Sequence, residues 1–295
     1  MKIQFLNGGL ANQAFQYIFA RHYELSHPGE VMFLDDSYFA LHTVHNGYEL
    51  EKVFGLKPHM LSECFDEEVW NFILDQRRNG KSIPQILCEN EVDMYMIAET
   101  GGTYKIFNPF EGRVVDIPCN QYIKEILDMP GDVYYHGYWI NKHWFHAYRE
   151  QFLKEFHFPE ITDAKNREYL DQIRNTNSVS LHIRRGDYVS LGAAMPSEAC
   201  KMCINQFRKD VPGKWDIFVF SDDISWCREH QQELGFEAFE NITYVEGNMC
   251  GNNYVDMQLM SQCKGMILSN SAFAYLAALL NVEMKYYVNP TPREL

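Results

Sequence analysis

No stretch of about 18 apolar residues occurs anywhere in the 295-residue chain, so no membrane-spanning helix is expected. The N-terminus, Met1-Lys2-Ile3-Gln4-Phe5-Leu6-Asn7-Gly8-Gly9, holds an apolar run far too short for a signal-peptide core, and glycine interrupts it at once. A cytoplasmic protein is expected. Positive charge is scarce as well: 26 Lys and Arg stand against 40 Asp and Glu, a net charge of −14, with no run of five basic residues. Such a chain repels a nucleic-acid backbone, and an anionic membrane surface is disfavoured for the same reason. No disulfide framework is legible, because the eight cysteines, at 64, 88, 119, 200, 203, 227, 250 and 263, are scattered through a large chain. Cys200-x-x-Cys203 has redox or zinc spacing but no second Cys or His pair to complete a site, and it falls in a helical-looking stretch. His143-x-x-His146 is discounted in the same way. The sequon Asn241-Ile242-Thr243 carries no meaning inside a cell.

What is present is an ordinary globular composition, 46% hydrophobic and 22% charged, with aromatic residues at 15%. Tyr134, Tyr135, Tyr138, Trp139 and Trp144 are candidate surfaces for stacking on a sugar ring, although most such rings fill cores. The length allows two domains, and the pattern suggests 1–158 and 159–295. Ile3–Leu6 reads as a strand and Asn7-Gly8-Gly9 as a turn. Leu10, Ala14, Phe15, Ile18 and Phe19 then recur at helical spacing to about His22. Val31–Leu34 reads as a second strand. Between 40 and 130 only a helix over Asp66–Asp75 stands out, followed by a strand at Val133–Gly137 and one aromatic helix over Asn141–Phe156.

Beyond that point strands and helices alternate regularly. Strands are expected at Val179–Ile183, Trp215–Phe220, Ile242–Val245, Gly265–Leu268 and Tyr286–Val288. Helices are expected at Ala164–Arg174, Ser197–Asp210, Asp222–Leu234, Tyr254–Cys263 and Ser271–Leu280. This predicts a parallel, doubly wound sheet of Rossmann type in the C-terminal half. The segment Val179-Ser180-Leu181-His182-Ile183-Arg184-Arg185-Gly186-Asp187-Tyr188 places His, two Arg and an Asp at the carboxyl end of a strand, where ligands of open α/β sheets sit. Adjacent guanidinium groups suit phosphate oxygens, and an isolated Arg-Arg-x-Asp is equally read as a surface ion pair. A second feature is the helix carrying Asp256, then a buried strand ending in Ser269-Asn270-Ser271 at a helix start. Such a start offers free N–H groups to an anion, or a simple N-cap.

Three motifs together resemble the bacterial α-1,2-fucosyltransferases. His182-x-Arg184-Arg185-x-Asp187-Tyr188 matches their H-x-R-R-x-D-Y. Gly8-Gly9-Leu10-Ala11-Asn12-Gln13-Ala14-Phe15-Gln16-Tyr17 is similar to their N-terminal motif. Asp256-Met257-x-Leu259-Met260-Ser261-x-Cys263 with Ser269-Asn270-Ser271-x-Phe273 is similar to the third. Ala11, Ala272 and Tyr275-Leu276 depart from the family pattern. The resemblance implies a GT-B-like α/β fold of two open α/β domains facing a cleft. The N-terminal domain would be the acceptor side, contributing Gly9 and Asn12 toward a diphosphate, and the Rossmann-type C-terminal domain would bind GDP-fucose.

The implied reaction is an inverting, metal-independent transfer of L-fucose from GDP-β-L-fucose to the 2-hydroxyl of a terminal β-galactoside, with no cofactor. The sequence has no Asp-x-Asp, only the adjacent pairs Asp35-Asp36 and Asp222-Asp223. By the same resemblance Arg184 stabilises the departing GDP and His182 and Asp256 contact the guanosine end. Ser271 meets a phosphate oxygen, Arg185, Asp222 and Asn270 complete the donor site, and Asp187 is either the base or a partner that orients an arginine. Other regiochemistry of the α-1,6 kind, an inactive GDP-sugar-binding scaffold, and loose peripheral association with the inner membrane beside a lipid-linked acceptor stay open.

Overall fold

A computed structural model describes residues 1–100, 103–108, 113–118, 122–291 and 295, the strands between 100 and 118 by backbone alone. Cys119 lies outside the described residues. The chain divides into two compact units, Met1–His157 and Phe158–Leu295.

The first unit is built on six strands: β1 (Lys2–Phe5), β2 (Met32–Asp35), β3 (Met94–Thr100), β4 (Thr103–Asn108), β5 (Arg113–Pro118) and β6 (Asp132–His136). Their order is β2-β1-β6-β3-β4-β5. The pairings from β2 to β3 are parallel, and β3, β4 and β5 form an antiparallel meander. The helix Leu10–Ser26 buries Leu10, Ala14, Phe15, Ile18 and Phe19, the residues whose spacing announced it. Phe19 stacks on Trp139 at 4.3 Å and meets Tyr135 and Trp144 edge-on. On the other side of the sheet Ile3, Phe5 and Tyr134 pack against Leu61, Ile73, Ile83 and Ile86 from the connecting helices. Tyr134, Tyr135, Trp139 and Trp144 are thus core, at most 2% exposed, and among the five candidate stacking rings Tyr138 is the exposed one, at 38%.

The aromatic stretch read as a single helix over Asn141–Phe156 is two helices, Lys142–His146 and Arg149–Glu155. The chain leaves helical geometry at Tyr148, whose ring packs edge-on to His22 at 5.0 Å. A core contact here overrides helical propensity.

The second unit has five parallel strands: β7 (Ser178–Ile183), β8 (Asp216–Ser221), β9 (Asn241–Tyr244), β10 (Gly265–Ile267) and β11 (Tyr286–Val288). Their order, β11-β10-β7-β8-β9, is the nucleotide-binding one: the first strand of the unit is central and the order reverses between β7 and β10. All six residues of β7 are buried, as a strand covered on both faces requires. The expected helix over Asp222–Leu234 is broken at His230 into Ile224–Glu229 and Gln231–Leu234. The His230 ring there lies on Trp226 at 4.4 Å, and its Nδ1 bonds the Trp226 carbonyl.

Cys200, Cys203 and Cys227 sit in the apolar cluster under this sheet, where burial pushes the Cys200 thiol up and the Cys227 thiol to about 11. A thiol held protonated is neither a nucleophile nor a ligand, so this spacing belongs to packing. No helix among the described residues is long and apolar enough to cross a membrane.

Candidate functional site

The strand register brings the charged residues together. Ile183, the last residue of β7, pairs with Ser221, the last of β8. The two chains therefore leave the sheet side by side as Arg184 and Asp222. Arg184 Nη1 lies 2.9 Å from Asp222 Oδ2. From the other side, its Nε and Nη2 donate to Asp187 Oδ1 at 3.1 and 2.7 Å. Asp222 Oδ1 also accepts the Arg185 backbone N–H at 2.8 Å, so one carboxylate fixes both the side chain of the first arginine and the backbone of the second. Gly186 is required for this approach, because a Cβ there would stand 2.6 Å from Asp222 Oδ2.

The second arginine turns away. The Arg185 guanidinium lies 3.6 Å from the centre of the Trp226 ring, and its Nε is 3.7 Å from Asp223 Oδ2. Asp223 in turn caps the helix Ile224–Glu229 through the Trp226 N–H. Arg184 keeps a third of its side chain exposed, against 19% for Arg185. The arginine with access is the one braced by two carboxylates, and Arg185 ties the following helix to the strand end.

At the reversal point between β7 and β10, His182 is buried and its Nδ1 shares a 2.8 Å hydrogen bond with Ser269 Oγ. Its ring stacks on Phe273 at 5.6 Å. Burial, and then the Arg184 charge, lower the imidazole from its ordinary value to about 3, so it is neutral at any ordinary pH. Ser269 Oγ also accepts the Ser271 N–H at 3.2 Å. Ser271 Oγ caps the helix Ala272–Leu280 through the Phe273 N–H. Asn270 donates to the Ala193 carbonyl at 2.8 Å, while its buried Oδ1 has no hydrogen-bond partner among the described residues. His182, Ser269, Asn270 and Ser271 therefore form one run of polar groups at the carboxyl edge, with a helix start beside it.

Asp256 belongs to a separate network in the same unit. It lies in the first turn of the helix Tyr254–Met260, accepts from Asn248 Nδ2 at 2.7 Å, and burial raises its carboxyl to about 7. The pattern of the sequence gives no sign of Asn248, nor of its partner Asn166, which is 82 residues away. Trp226 and Ser269 are likewise invisible as partners until the fold sets them against Arg185 and His182.

In the first unit, Gly9 precedes the helix Leu10–Ser26, and Asn12 lies in its first turn. Gly8 has φ +81°, and a Cβ on it would stand 2.6 Å from Asn12 Nδ2, so Asn12 folds back over the turn. The turn is held by amides. Gln13 Nε2 donates to the Gly8 and Gly47 carbonyls, both at 2.9 Å, and its Oε1 accepts the Glu49 N–H at 2.9 Å. Gln16 exchanges hydrogen bonds with Asn7, at 3.1 and 2.7 Å. Among the described residues no cluster of three His, Cys, Asp or Glu side chains is placed to hold a metal ion.

Residues 113–293 match the family described as Glycosyl transferase family 11. The chain is 32% identical to an α-1,2-colitosyltransferase of Escherichia coli over 97% of its length and 90% of that protein's. It is 26% identical to galactoside α-(1,2)-fucosyltransferase 2 of Mus musculus over 52% of its length and 46% of that protein's. In fold it is similar to the fucosyltransferase NodZ from Bradyrhizobium, with a TM-score of 0.50 at 12% identity, covering 95% of this chain and 92% of that one. The fold is the expected GT-B-like α/β class, and the chain belongs to glycosyl transferase family 11 and is a glycosyltransferase.

Proposed function

We propose that the chain transfers L-fucose from GDP-β-L-fucose to the 2-hydroxyl of a terminal β-galactoside, with inversion and without a metal. The observation that carries this reading is Arg184, an accessible guanidinium braced by Asp187 and Asp222 at the carboxyl end of the central strand. A guanidinium so placed meets the charge that develops on a departing diphosphate without reorganising, which is how preorganised groups lower a barrier. Arg184 takes the diphosphate, helped by the N–H groups at the Ser271 cap. His182 and Asp256 take the guanosine end, and Asn270 lies beside the cap. Arg185 and Asp222 hold the strand end in shape, and Gly9 and Asn12 serve the first unit's side of the reaction. Asp187 orients Arg184 through Oδ1 and, as the carboxylate of the motif, is also the candidate base for the acceptor hydroxyl.

A second donor is favoured by one observation, the relative that is an α-1,2-colitosyltransferase. Colitose is the 3-deoxy counterpart of fucose, so the same nucleotide site serves either sugar.

The test is GDP release from GDP-fucose with lactose or N-acetyllactosamine as acceptor, in excess EDTA, for the wild type and Arg184→Ala. Acceptor-dependent release that survives EDTA and collapses in the variant supports the donor, the metal independence and the arginine together. Release from the GDP-linked 3-deoxy sugar alone moves the reading to colitose. GDP binding without turnover on any galactoside counts against the acceptor and toward a scaffold.

A further inference from the structure

We infer that Asn248 is a positioning residue for nucleotide recognition, holding the Asp256 carboxylate as a fixed hydrogen-bond acceptor for the edge of a guanine base. The inference rests on the proposed reading of the second unit as a GDP-sugar site. Its basis is a closed relay of four side chains. Asn166 Nδ2 donates to Asn248 Oδ1 at 2.7 Å, and Asn248 Nδ2 donates back to Asn166 Oδ1 at 2.9 Å. The remaining donor of Asn166 goes to Asp163 Oδ2 at 3.0 Å, and that of Asn248 to Asp256 Oδ1 at 2.7 Å. Each amide nitrogen has two N–H donors, so all four are used.

The two asparagines are 6% and 5% exposed, and the carboxylates at the ends decide which way round both amides sit. Flipping the pair would set carbonyl oxygens against carboxylates at both ends. Asp163 is itself pinned, since it caps the helix Ala164–Asn175 through the Asn166 N–H at 2.9 Å. Asp256 is therefore anchored, through two rigid amides, to the start of a helix at the carboxyl side of the sheet.

The relay fills a need. Guanine presents two adjacent donors, the ring N1–H and the exocyclic amine, and a single ionised carboxylate can accept both. A protonated carboxyl cannot. Burial works against ionisation of Asp256, and the Asn248 bond works for it. The helix Ala272–Leu280 packed on this segment carries no charged residue. The Lys165 ammonium of the helix Ala164–Asn175 lies over the Tyr169 ring at 5.7 Å and 3.9 Å from where a Cβ on Gly247 would stand, Glu160 and Glu246 line the same pocket as Asn248, and Asp163 is two amides away. Removing the Asn248 donor thus leaves Asp256 with burial alone, loose in position and protonated at higher pH.

The experiment measures calorimetric affinities for GDP and IDP, which lacks the exocyclic amine, in the full-length protein. It compares the wild type, the isosteric Asn248→Asp and Asp256→Asn, with Tm as a control for folding. The wild type prefers GDP. In Asn248→Asp the GDP affinity falls about tenfold or more, as expected when one hydrogen bond to a charged group is lost, and the GDP/IDP ratio falls toward one. Should Asn248→Asp not fold, Asn248→Ala removes the same donor. In Asn248→Ala the GDP/IDP preference recovers at a higher pH than it sets in for the wild type, a displacement that a purely structural defect does not give. A folded Asn248 variant with the wild-type ratio overturns the inference while Asp256→Asn loses the ratio. If Asp256→Asn also keeps it, the reading of Asp256 as a contact to the base falls as well.

Discussion

Each unit starts its sheet in the same way, with its first strand running through a loop into a helix, yet the two loops are furnished with opposite chemistry. In Met1–His157 the turn after β1 is held by neutral amides, Gln13 and Gln16, which bind backbone carbonyls and Asn7. In Phe158–Leu295 the turn after β7 is held by ions, two guanidinium groups facing Asp187, Asp222 and Asp223. An amide whose partners are backbone groups fixes a conformation and has little left to offer a ligand. An ion pair at a partly exposed edge contributes little to stability and leaves a charge that an anion can use. The difference predicts that substitutions in the first loop act on folding, and those in the second on turnover.

The largest effect that would sharpen this contrast is in Arg184→Ala. Turnover should fall by about 10²–10³, as when a preorganised charge donor is lost, while Tm stays within a few degrees. Steady-state kinetics and thermal unfolding read the two together, and a large loss of Tm would break the comparison. Next, Gln13→Leu orphans the Gly8 and Gly47 carbonyls and the Glu49 N–H in a fully buried place. It should cost on the order of 3 kcal/mol in urea unfolding, since each unpaired buried group costs about 1–3 kcal/mol; a neutral result would mean that the amides are dispensable. Asp222→Asn comes third. It weakens the brace on Arg184 while keeping an acceptor for the Arg185 N–H, so kcat/KM should drop by roughly tenfold, about the worth of one charge-assisted bond. Equal activity would show that Asp187 alone suffices.

A further effect is in the pH dependence of stability. The Asp256 carboxyl is raised by burial from 3.8 to about 7, so the folded chain holds a proton that the unfolded chain releases between those values. The stability it contributes is full below about pH 4 and is lost as pH rises through 7. His182 has the opposite sign: with its folded value lowered to about 3, its contribution is present above pH 6.5 and fades as pH falls toward 3. Asp256→Asn should therefore lose fewer degrees of Tm between pH 4 and 7 than the wild type. An unchanged slope would mean that Asp256 titrates normally.

The legibility of the sequence divides along the same line. In the second unit β7 reads as a strand over Val179–Ile183, where Val179, Leu181 and Ile183 alternate with Ser180 and His182, and Ser197–Asp210 and Tyr286–Val288 fall where the pattern puts them, because buried parallel strands and amphipathic helices have strong periodic signatures. In the first unit β3, β4 and β5 go unread between 40 and 130. Their residues mix apolar and polar types, and the Gly101-Gly102 pair between the partners Thr100 and Thr103 is a weak hairpin signal by itself. In the site, the sequence marks residues that share a strand end, such as His182 and Arg184. It cannot mark Asp222 as the group that binds two arginines from 37 residues away, nor the amide pair behind Asp256. Those partnerships exist only through register and loop closure.

The brace on Arg184 has a consequence for the end of the catalytic cycle. A guanidinium already satisfied by two carboxylates is not an empty receptor, and any anion that takes it must compete with Asp187 and Asp222. The same competitors remain poised while a diphosphate is bound, ready to reclaim the arginine as soon as the product loosens. If Arg184 takes the diphosphate as proposed, the two aspartates act as an internal leaving-aid, trading some affinity for the spent nucleotide against the speed with which the site empties.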